Sequence, residues 1–361
     1  MRDKTLMIMA GGTGGHVFPA LAVAESLLER KDKVVWLGSV GGMEENIIGN
    51  TSIPFYGISV QGFRGKGLIR QLLAPFKMCS ALFQSMSIIR KVKPDAVLGM
   101  GGFASGPGGL AARLLGVPLL IHEQNSVAGL TNKILAKFAK TVMTAFPEAF
   151  DASVEVKLMG NPLRASITGL FYQTQNLNKE EGAPVHLLIL GGSLGAQSLN
   201  GSIPEAIQLI SKELRPVVWH QTGKAKDSAV REIYAAHGID ARVSEFITDM
   251  AEAYSWADFV ICRAGALTVS ELCVAGLGAI LVPYPYAVDD HQTKNAKFMV
   301  EGGAAWVLPQ AELRAEVLAE MLTPLFAKRG RLVKLSEAAR KLAKVDATER
   351  VADECRRVCY A

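Results

Sequence analysis

Two copies of one local pattern constrain the fold more than any other feature of this 361-residue chain. In each copy, a short apolar run typical of a buried strand is followed by a glycine-rich loop and then by a helical pattern. In the first copy the strand, loop and helix patterns occupy residues 5–10, 11–16 and 17–29. In the second copy they occupy residues 185–190, 191–196 and 199–214. A glycine-rich loop between a strand and a helix is typical of Rossmann-like domains, so two such domains are predicted.

Further alternation of strands and helices indicates a parallel sheet in each half. Additional apolar strand candidates are residues 34–37, 96–98, 118–121, 217–220, 259–262 and 279–282. Helical patterns at residues 107–115 and 128–138 separate strand candidates of the first half. This order predicts an α/β fold with two doubly wound parallel-sheet domains that face a cleft.

The domain boundaries follow from where the pattern restarts. A polar stretch at residues 173–182 has loop composition and precedes the second copy. The first domain is therefore placed at residues 1–163 and the second at residues 164–340. Residues 332–360 have a helical, charged pattern, and residues 341–361 are predicted to form a helix that packs back on the N-terminal domain.

Composition excludes several classes of protein. Hydrophobic residues make up 49% and charged residues 20%, which is too apolar for a disordered chain. The five cysteines include no C-x-x-C pair, so neither a disulfide framework nor a zinc site is predicted, and a reducing compartment is favoured. We expect no signal peptide and no membrane-spanning helix, hence a soluble cytoplasmic protein. A net charge of +5 does not indicate nucleic acid as a partner.

Basic residues are concentrated in one stretch of the first half. No acidic residue occurs between Glu45 and Asp95, and the basic residues in that interval are Arg64, Lys66, Arg70, Lys77, Arg90, Lys91 and Lys93. Leucine, isoleucine, methionine and phenylalanine are interleaved with them. The pattern suits a helix on an anionic membrane surface. The alternative is a solvated helix whose apolar stripe covers a sheet.

The glycine loops predict anion binding, because backbone amides and a helix dipole meet at such a turn. Neither loop has the spacing of a dinucleotide fingerprint or of a Walker A motif.

A third cluster at residues 99–109 also follows a strand, and close backbone packing is the alternative explanation for its glycines. A fourth, at residues 265–271, combines helix N-terminal amides, Thr268 and Glu271. Those groups could bind a phosphate and a ribose diol together.

Seven motifs occur in the order found in one known family. They are residues 11–20 (GGTGGHVFPA), 99–109, 122–125 (HEQN), 160–164 (GNPLR), 191–193 (GGS), 263–271 (RAGALTVSE) and 290–292 (DHQ). In these motifs the chain resembles the MurG family of peptidoglycan N-acetylglucosaminyltransferases. The resemblance covers essentially the whole chain and implies a two-domain GT-B glycosyltransferase without a cofactor.

The implied reaction is an inverting transfer of N-acetylglucosamine from UDP-GlcNAc. The acceptor is the 4-hydroxyl of the muramoyl-pentapeptide of lipid I, a polyprenyl diphosphate, and the product is lipid II for cell-wall synthesis. Such an acceptor implies a peripheral location at the cytoplasmic face of the inner membrane. It also implies contact with proteins of the cell-wall and division machinery, without indicating which ones.

The resemblance also implies the substrate contacts. For UDP-GlcNAc they come from Thr13, Gly14, Gly15, Asn125, Arg164, Ser193, Ile247, Ala266, Leu267, Thr268, Val269, Ser270, Glu271 and Gln292. For the acceptor they come from Gly102, Phe103 and Ser105. Ser193 and the amides near Leu267 and Thr268 would hold the diphosphate. The Ile247 backbone would meet uracil, and Glu271 would accept hydrogen bonds from the ribose. Gln292 and Asn125 would reach the donor sugar, where Gln292 is chosen over its neighbour His291. Arg164 would contact the nucleotide side of the donor.

His16 is the candidate catalytic base, because an imidazole exchanges protons near neutral pH. Its alternative roles are an anchor for the acceptor diphosphate and a filler of the core. His122 is a lesser candidate. No D-x-D pair for a metal–diphosphate clamp occurs in the chain, so activity is expected to survive chelation.

Two other functions are compatible with paired Rossmann-like domains. A nicotinamide-dependent oxidoreductase is disfavoured by the glycine spacing and by the absence of an acid closing the strand at residues 34–37. A non-catalytic sugar-nucleotide-binding membrane adaptor would need no base, and turnover would distinguish it from an enzyme.

Overall fold

The computed structural model describes residues 4–60, 74–173, 182–192 and 195–360. The chain divides into two compact units: Met1–Arg164 together with Asp346–Ala361, and Ala165–Val345. The second unit therefore ends at Val345, whereas the sequence places its end at residue 340.

The first unit is built on a parallel sheet with helices on both faces. Its described strands are β1 (Thr5–Met9), β2 (Lys33–Ser39), β3 (Phe55–Ile58), β4 (Ala96–Gly99), β5 (Leu119–Glu123), β6 (Thr141–Thr144) and β7 (Lys157–Leu158), in the order β3-β2-β1-β4-β5-β6-β7. Its helices up to Arg164 include α1 (Gly14–Glu29), α2 (Met43–Gly49), α3 (Ala74–Val92), α4 (Ser105–Leu114) and α5 (Leu130–Ala136).

Strand β1 shows how the two faces are covered. Leu6 and Ile8 pack in the apolar cluster that includes α1. Met7 and Met9 point to the other face, into the cluster that includes α3, α4 and α5. A strand buried on both faces is expected in a parallel sheet, where successive side chains alternate between two helical layers.

The second unit repeats this plan. Its described strands are β8 (His186–Leu190), β9 (Val217–Gln221), β10 (Ala241–Ser244), β11 (Phe259–Cys262), β12 (Gly278–Leu281) and β13 (Ala305–Val307), in the order β10-β9-β8-β11-β12-β13. Its described helices include α6 (Ala165–Thr168), α7 (Gln197–Leu209), α8 (Asp227–Ala236), α9 (Met250–Trp256), α10 (Ala266–Ala275), α11 (His291–Glu301), α12 (Ala315–Phe326) and α13 (Arg329–Leu342). The two sheets confirm the predicted pair of doubly wound parallel-sheet domains.

Each sheet reverses its strand order beside its first strand. The reversal lies between β1 and β4 in the first unit and between β8 and β11 in the second. Ligands of doubly wound folds bind outside the carboxyl ends of the strands at this switch point. The four predicted glycine clusters follow these four strands, so they lie at the two switch points.

The C-terminal helix α14 (Ala347–Tyr360) belongs to the first unit. Val351 and Cys355 join the apolar cluster of α1, and Glu349 accepts a hydrogen bond from Ser26 Oγ at 2.9 Å. Arg30, which directly follows α1, forms ion pairs with Glu349 and Asp353. The helical pattern at residues 332–360 is thus two helices in two different units, separated by residues 343–346.

Two other predicted helices differ in their bounds. Helix α1 begins at Gly14, inside the predicted glycine loop, and α7 ends at Leu209 rather than at residue 214. The residues after α7 form a short 3-10 turn at Lys212–Leu214. The early start of α1 places His16 in the first helical turn.

Candidate active site

His16 lies at the switch point of the first unit, on the first turn of α1. Its Nδ1 is 3.4 Å from Thr13 Oγ1. Its imidazole packs against Gly101 in the loop after β4, because a Cβ at Gly101 would be 2.7 Å from His16 Cδ2. The side chain is half-buried. The structure therefore brings the first and third predicted glycine clusters together around His16.

The same two loops touch at Gly102 and Phe103. A Cβ at Gly102 would lie 2.1 Å from the carbonyl oxygen of Gly11, so the two backbones are in direct contact. Phe103 is 49% exposed and lies beside Gly12. An exposed aromatic ring next to a half-buried imidazole leaves this part of the switch point accessible to a substrate.

Ser105 differs from the other predicted acceptor contacts. It is fully buried, and its hydroxyl lies 2.8 Å from the carbonyl oxygen of Met9 and 2.7 Å from that of Gly101. Its side chain therefore fastens the loop after β4 to the end of β1. Acceptor contact by Ser105 stays a prediction, and the geometry favours an indirect role.

Glu44 is a residue at this site that the sequence analysis missed. It is fully buried, and its carboxylate accepts hydrogen bonds from the amides of Ser39 at 2.8 Å and Gly12 at 3.2 Å. The amide of Gly12 therefore faces a carboxylate of the protein rather than a bound anion. Glu44 also follows β2, where a dinucleotide-binding fold presents an acid to ribose, but its burial does not suit that role.

Asn125 follows β5, the strand beyond β4, and it is held by Glu123. The Glu123 carboxylate accepts hydrogen bonds from Asn125 N at 3.0 Å and Asn125 Nδ2 at 3.2 Å. It also accepts hydrogen bonds from Gly129 N at 3.1 Å and Asn132 Nδ2 at 2.9 Å. Glu123 is buried, so the carboxamide of Asn125 has a fixed orientation. A contact with the donor sugar stays a prediction.

The contacts of His122 indicate a structural role. It is fully buried, Nε2 donates to the carbonyl oxygen of Gly160 at 2.9 Å, and Nδ1 accepts from Gln124 Nε2 at 3.1 Å. Burial lowers the pKa of His122 to about 4. Because both ring nitrogens have partners inside the unit, the geometry does not favour His122 as the base.

The free energy of unfolding should depend on pH because the His122 imidazole is buried and neutral. His122 binds a proton near pH 6.5 in the unfolded chain but only near pH 4 in the folded chain. The unfolded chain therefore binds more protons below pH 6.5, and the free energy of unfolding falls as the pH drops. The loss attributable to His122 should be about 2 kcal/mol at pH 5. Urea unfolding at pH 7.5 and pH 5 measures it, and a His122→Gln variant should lose about 2 kcal/mol less. Equal losses in the two proteins would contradict the assignment.

Arg164 is the last residue of the N-terminal segment of the first unit. Its guanidinium lies 5.3 Å from the ring centroid of Phe18 on α1, a cation–π distance. Its predicted contact with the nucleotide is not tested by this geometry. The donor contacts predicted for Thr13, which precedes α1, and for Gly14 and Gly15, which begin it, likewise stay predictions.

The switch point of the second unit has the same close approach of loops. Gly195, with a φ of +70°, would place a Cβ 2.0 Å from the carbonyl oxygen of Thr222 at the end of β9. Beside it, α10 begins at Ala266 after an extended Gly265 that provides no side-chain cap. The first amides of a helix have no partner within the helix, so an anion is favoured at this end. Ser193, the predicted diphosphate contact, lies outside the described residues.

The predicted donor residues of α10 point in different directions. Leu267, Thr268 and Glu271 are half-buried, whereas Val269 is fully buried. The Ser270 hydroxyl donates to the carbonyl oxygen of Ala266 at 3.1 Å. Val269 and the mostly buried Ala266 can therefore reach a ligand only through their backbone, while Thr268 and Glu271 can offer side chains.

Ile247 and Gln292 come from other segments of the second unit, Ile247 from the loop after β10 and Gln292 from the first turn of α11. Ile247 follows the edge strand β10 and is buried, which agrees with a backbone rather than a side-chain contact. Gln292 Oε1 accepts a hydrogen bond from the amide of Tyr284 at 2.9 Å. The Gln292 carboxamide thus holds the loop after β12 as well as being a predicted sugar contact.

Arg263 is a second residue whose role the sequence did not indicate. It follows β11 and donates to the carbonyl oxygens of Val282 at 3.1 Å and Pro283 at 3.2 Å. Burial lowers its pKa, as expected for a cation held among neutral acceptors. Arg263 therefore ties the loop after β12 to the start of α10.

Neither a metal cluster nor a spanning helix is found in the described parts of the chain. In residues 4–60, 74–173, 182–192 and 195–360, no three His, Cys, Asp or Glu residues are grouped so that they could hold a metal ion. No helix among the described residues has the length and apolar character needed to cross a bilayer.

Comparisons with known proteins place the chain among glycosyltransferases. Residues 6–144 match the glycosyltransferase family 28 N-terminal domain, and residues 186–351 match the family 28 C-terminal domain. The chain is 51% identical to the UDP-N-acetylglucosamine–N-acetylmuramyl-(pentapeptide) pyrophosphoryl-undecaprenol N-acetylglucosamine transferase of Marinobacter nauticus, over 98% of this chain and 97% of that protein. The protein of the same name from Hahella chejuensis is also 51% identical, over 99% of each chain.

A solved structure agrees with the sequence comparison. The crystal structure of Acinetobacter baumannii MurG matches with a TM-score of 0.86 and 44% identity, covering 98% of this chain and 99% of that one. The resemblance inferred from the seven motifs is thus confirmed along nearly the whole length. By both sequence and fold, the chain belongs to the MurG family of GT-B glycosyltransferases.

Proposed function

We propose that this chain transfers N-acetylglucosamine from UDP-GlcNAc to the 4-hydroxyl of the muramoyl sugar of lipid I, forming lipid II with inversion at the sugar carbon. The observation that carries the proposal is the near-full-length match to relatives named for this transfer. No cofactor is required by this chemistry, since UDP is itself the leaving group.

The donor is proposed to bind at the switch point of the second unit. Its diphosphate would accept hydrogen bonds from the first amides of α10, and the Glu271 carboxylate would accept hydrogen bonds from the ribose. Negative charge develops on the diphosphate as UDP leaves, and the positive end of the α10 dipole stabilises that charge. The Ile247 backbone would select the uracil, and Gln292 would contact the sugar.

The acceptor is proposed to bind at the switch point of the first unit, beside Phe103 and Gly102. In this scheme the His16 imidazole takes the proton from the 4-hydroxyl as its oxygen bonds to the anomeric carbon. The bond from that carbon to the diphosphate breaks in the same step, and UDP departs with the electron pair. The alternative role for His16, an anchor of the acceptor diphosphate, is separated from this one by kinetics, as discussed below.

Turnover tests the proposed reaction. Purified protein with radiolabelled UDP-GlcNAc and a soluble lipid I analogue should yield a labelled disaccharide product and UDP. A thermal-shift comparison should show stabilisation by UDP and UDP-GlcNAc and none by NAD. Stabilisation by NAD alone would favour the oxidoreductase, and binding of UDP-GlcNAc without any turnover would favour the adaptor.

A membrane-facing surface is proposed on α3, α4 and α5, the layer that covers one face of the first sheet. Ala81 and Ile89 of α3 pack toward the sheet, whereas Phe76 is 75% exposed and Phe83 is 68% exposed. The neighbouring helices also expose apolar pairs four residues apart: Leu110 and Leu114 on α4, and Leu130 and Ile134 on α5.

Basic residues accompany these exposed apolar side chains. Lys77, Arg113 and Lys133 are exposed on the same three helices, and the exposed Lys137 directly follows α5. Exposed apolar residues among cations suit a surface of anionic lipid, and a lipid-linked acceptor requires such contact. Arg64, Lys66 and Arg70 of the predicted basic stretch lie outside the described residues. We therefore propose a peripheral position at the inner face of the membrane, where proteins of cell-wall synthesis and division would be accessible.

Vesicle binding should depend on this surface. A Phe76→Ser/Lys77→Glu/Phe83→Ser variant should bind phosphatidylglycerol vesicles at least about tenfold more weakly, because two apolar anchors and one cation are lost. Co-sedimentation measures the bound fraction. The control is Tyr172→Ser, which removes a 78% exposed ring from the second unit and should leave binding unchanged. Undiminished binding by the triple variant would reject this surface.

A further inference from the structure

A buried tyrosine in the second unit is bonded to the carboxylate proposed to bind ribose. Tyr254 on α9 is 2% exposed, and its hydroxyl donates a hydrogen bond to Glu271 Oε2 at 2.8 Å. Glu271 lies on α10, one turn and a half after the helix begins at Ala266. The bond therefore connects a core side chain on one helix to a half-buried carboxylate on the next.

The tyrosine is itself held rigidly. Helix α9 begins after Asp249, whose carboxylate caps it by accepting a hydrogen bond from the amide of Glu252 at 3.0 Å. A side chain that is almost fully buried in a capped helix has little rotational freedom. Its hydroxyl is therefore a fixed donor at a set position beside α10.

A fixed donor determines the orientation of a carboxylate. A glutamate on a helix surface can adopt several rotamers, and each places its oxygens differently. A hydrogen bond from a phenol to an ionised carboxylate is short and strong, so it selects one of those rotamers. Once Oε2 is held by Tyr254, the plane of the carboxylate, and with it the position of Oε1, is also set.

We infer that Tyr254 is a positioning residue for recognition of the ribose of a uridine nucleotide. Its hydroxyl holds the Glu271 carboxylate in the orientation that accepts hydrogen bonds from the ribose diol, and this inference rests on the proposed function. Tyr254 does not touch the substrate in this scheme. It determines how well the protein distinguishes a ribonucleotide from its deoxy analogues.

The test compares UDP with 2′-deoxy-UDP and 3′-deoxy-UDP by isothermal titration calorimetry. The wild-type protein should bind at least one deoxy analogue more weakly than UDP. Tyr254→Phe keeps the ring in the core and removes only the hydroxyl. It should bind UDP about tenfold more weakly, since a hydrogen bond to a charged group has that order of effect. Its affinity for the discriminated deoxy analogue should change little, so the ratio of the two affinities should fall.

Tyr234→Phe is the matched control. Tyr234 is 1% exposed in the same unit, and its hydroxyl is bonded to His220 Nδ1 at 3.0 Å instead of to Glu271. This variant should keep the wild-type affinity ratio, even if both affinities fall slightly. Thermal unfolding of both variants checks that the second unit is folded.

The outcomes separate the inference from the proposed function. If Tyr254→Phe weakens all three ligands by the same factor, or none of them, while the wild-type protein discriminates, the inference is overturned and the proposed function stands. If the wild-type protein fails to bind UDP at all, the proposed function is overturned and the inference with it. A fall in the ratio for Tyr254→Phe but not for Tyr234→Phe supports the inference.

Discussion

Replacement of His16 by alanine should lower kcat by about 10²-fold or more, with a smaller effect on KM for either substrate. In the structure the imidazole lies against Gly101 and beside Thr13, at the switch point of the unit proposed to bind the acceptor. His16→Ala removes the group proposed to accept the proton of the 4-hydroxyl as the new bond forms. Initial rates with UDP-GlcNAc and a soluble lipid I analogue measure both constants.

One control variant and two alternative outcomes make this prediction specific. His237→Ala removes another half-buried histidine, from the end of α8 in the second unit, and should leave both constants unchanged. An increase in KM for the lipid acceptor, with kcat intact in His16→Ala, would instead assign His16 to binding of the acceptor diphosphate. Wild-type kinetics in His16→Ala would remove it from the site altogether.

Gly102→Ala should destabilise the first unit by about 3–5 kcal/mol, combining the cost of a left-handed backbone with that of overpacking. Gly102 has a φ of +84°, and an added Cβ would lie 2.1 Å from the carbonyl oxygen of Gly11 and 2.6 Å from its carbonyl carbon. These neighbours are backbone atoms of the loop between β1 and α1, so they cannot move aside without shifting the segment that leads to His16 on α1. The loss is a large part of the stability of a typical domain.

Gly116→Ala is the matched control for this substitution. Gly116 also has a left-handed φ, of +70°, but an added Cβ there would meet no atom within 4 Å. It should therefore cost only the backbone strain, about 1–2 kcal/mol. The midpoint of thermal unfolding of Gly102→Ala should lie about 10 °C below that of the wild type and clearly below that of Gly116→Ala. Equal shifts for the two variants would show that the contact with Gly11 is unimportant.

The sequence predicted those parts of the fold that are encoded locally. Strands β1 and β8 are runs of buried apolar residues followed by glycines, and both were located within one residue of their observed bounds. Strands β3 (FYGI) and β10 (ARVS) were not predicted, because they lie at the edges of their sheets and are short and mixed in polarity. At such positions the neighbouring strand, rather than local propensity, decides the conformation.

In the candidate site too, some residues could be located from the sequence and others could not. The glycine clusters and His16 could be located because their spacing after a strand has a direct physical meaning. Glu44 and Tyr254 could not, because each acts through a hydrogen bond to a residue distant in sequence, Gly12 in one case and Glu271 in the other. An isolated glutamate or tyrosine in a helical pattern carries no sign of such a partner. Only the tertiary structure reveals which polar groups are buried and what they hold.

The return of α14 to the first unit has a consequence for biosynthesis. The polypeptide leaves this unit after Arg164 and re-enters it at Asp346, so the second unit is an insertion within the first. On the ribosome, the apolar side of α1 that packs with Val351 and Cys355 stays uncovered until α14 has emerged from the exit tunnel. Domains usually fold in the order in which they are translated. Here the contiguous second unit can finish folding while the first still awaits its last segment.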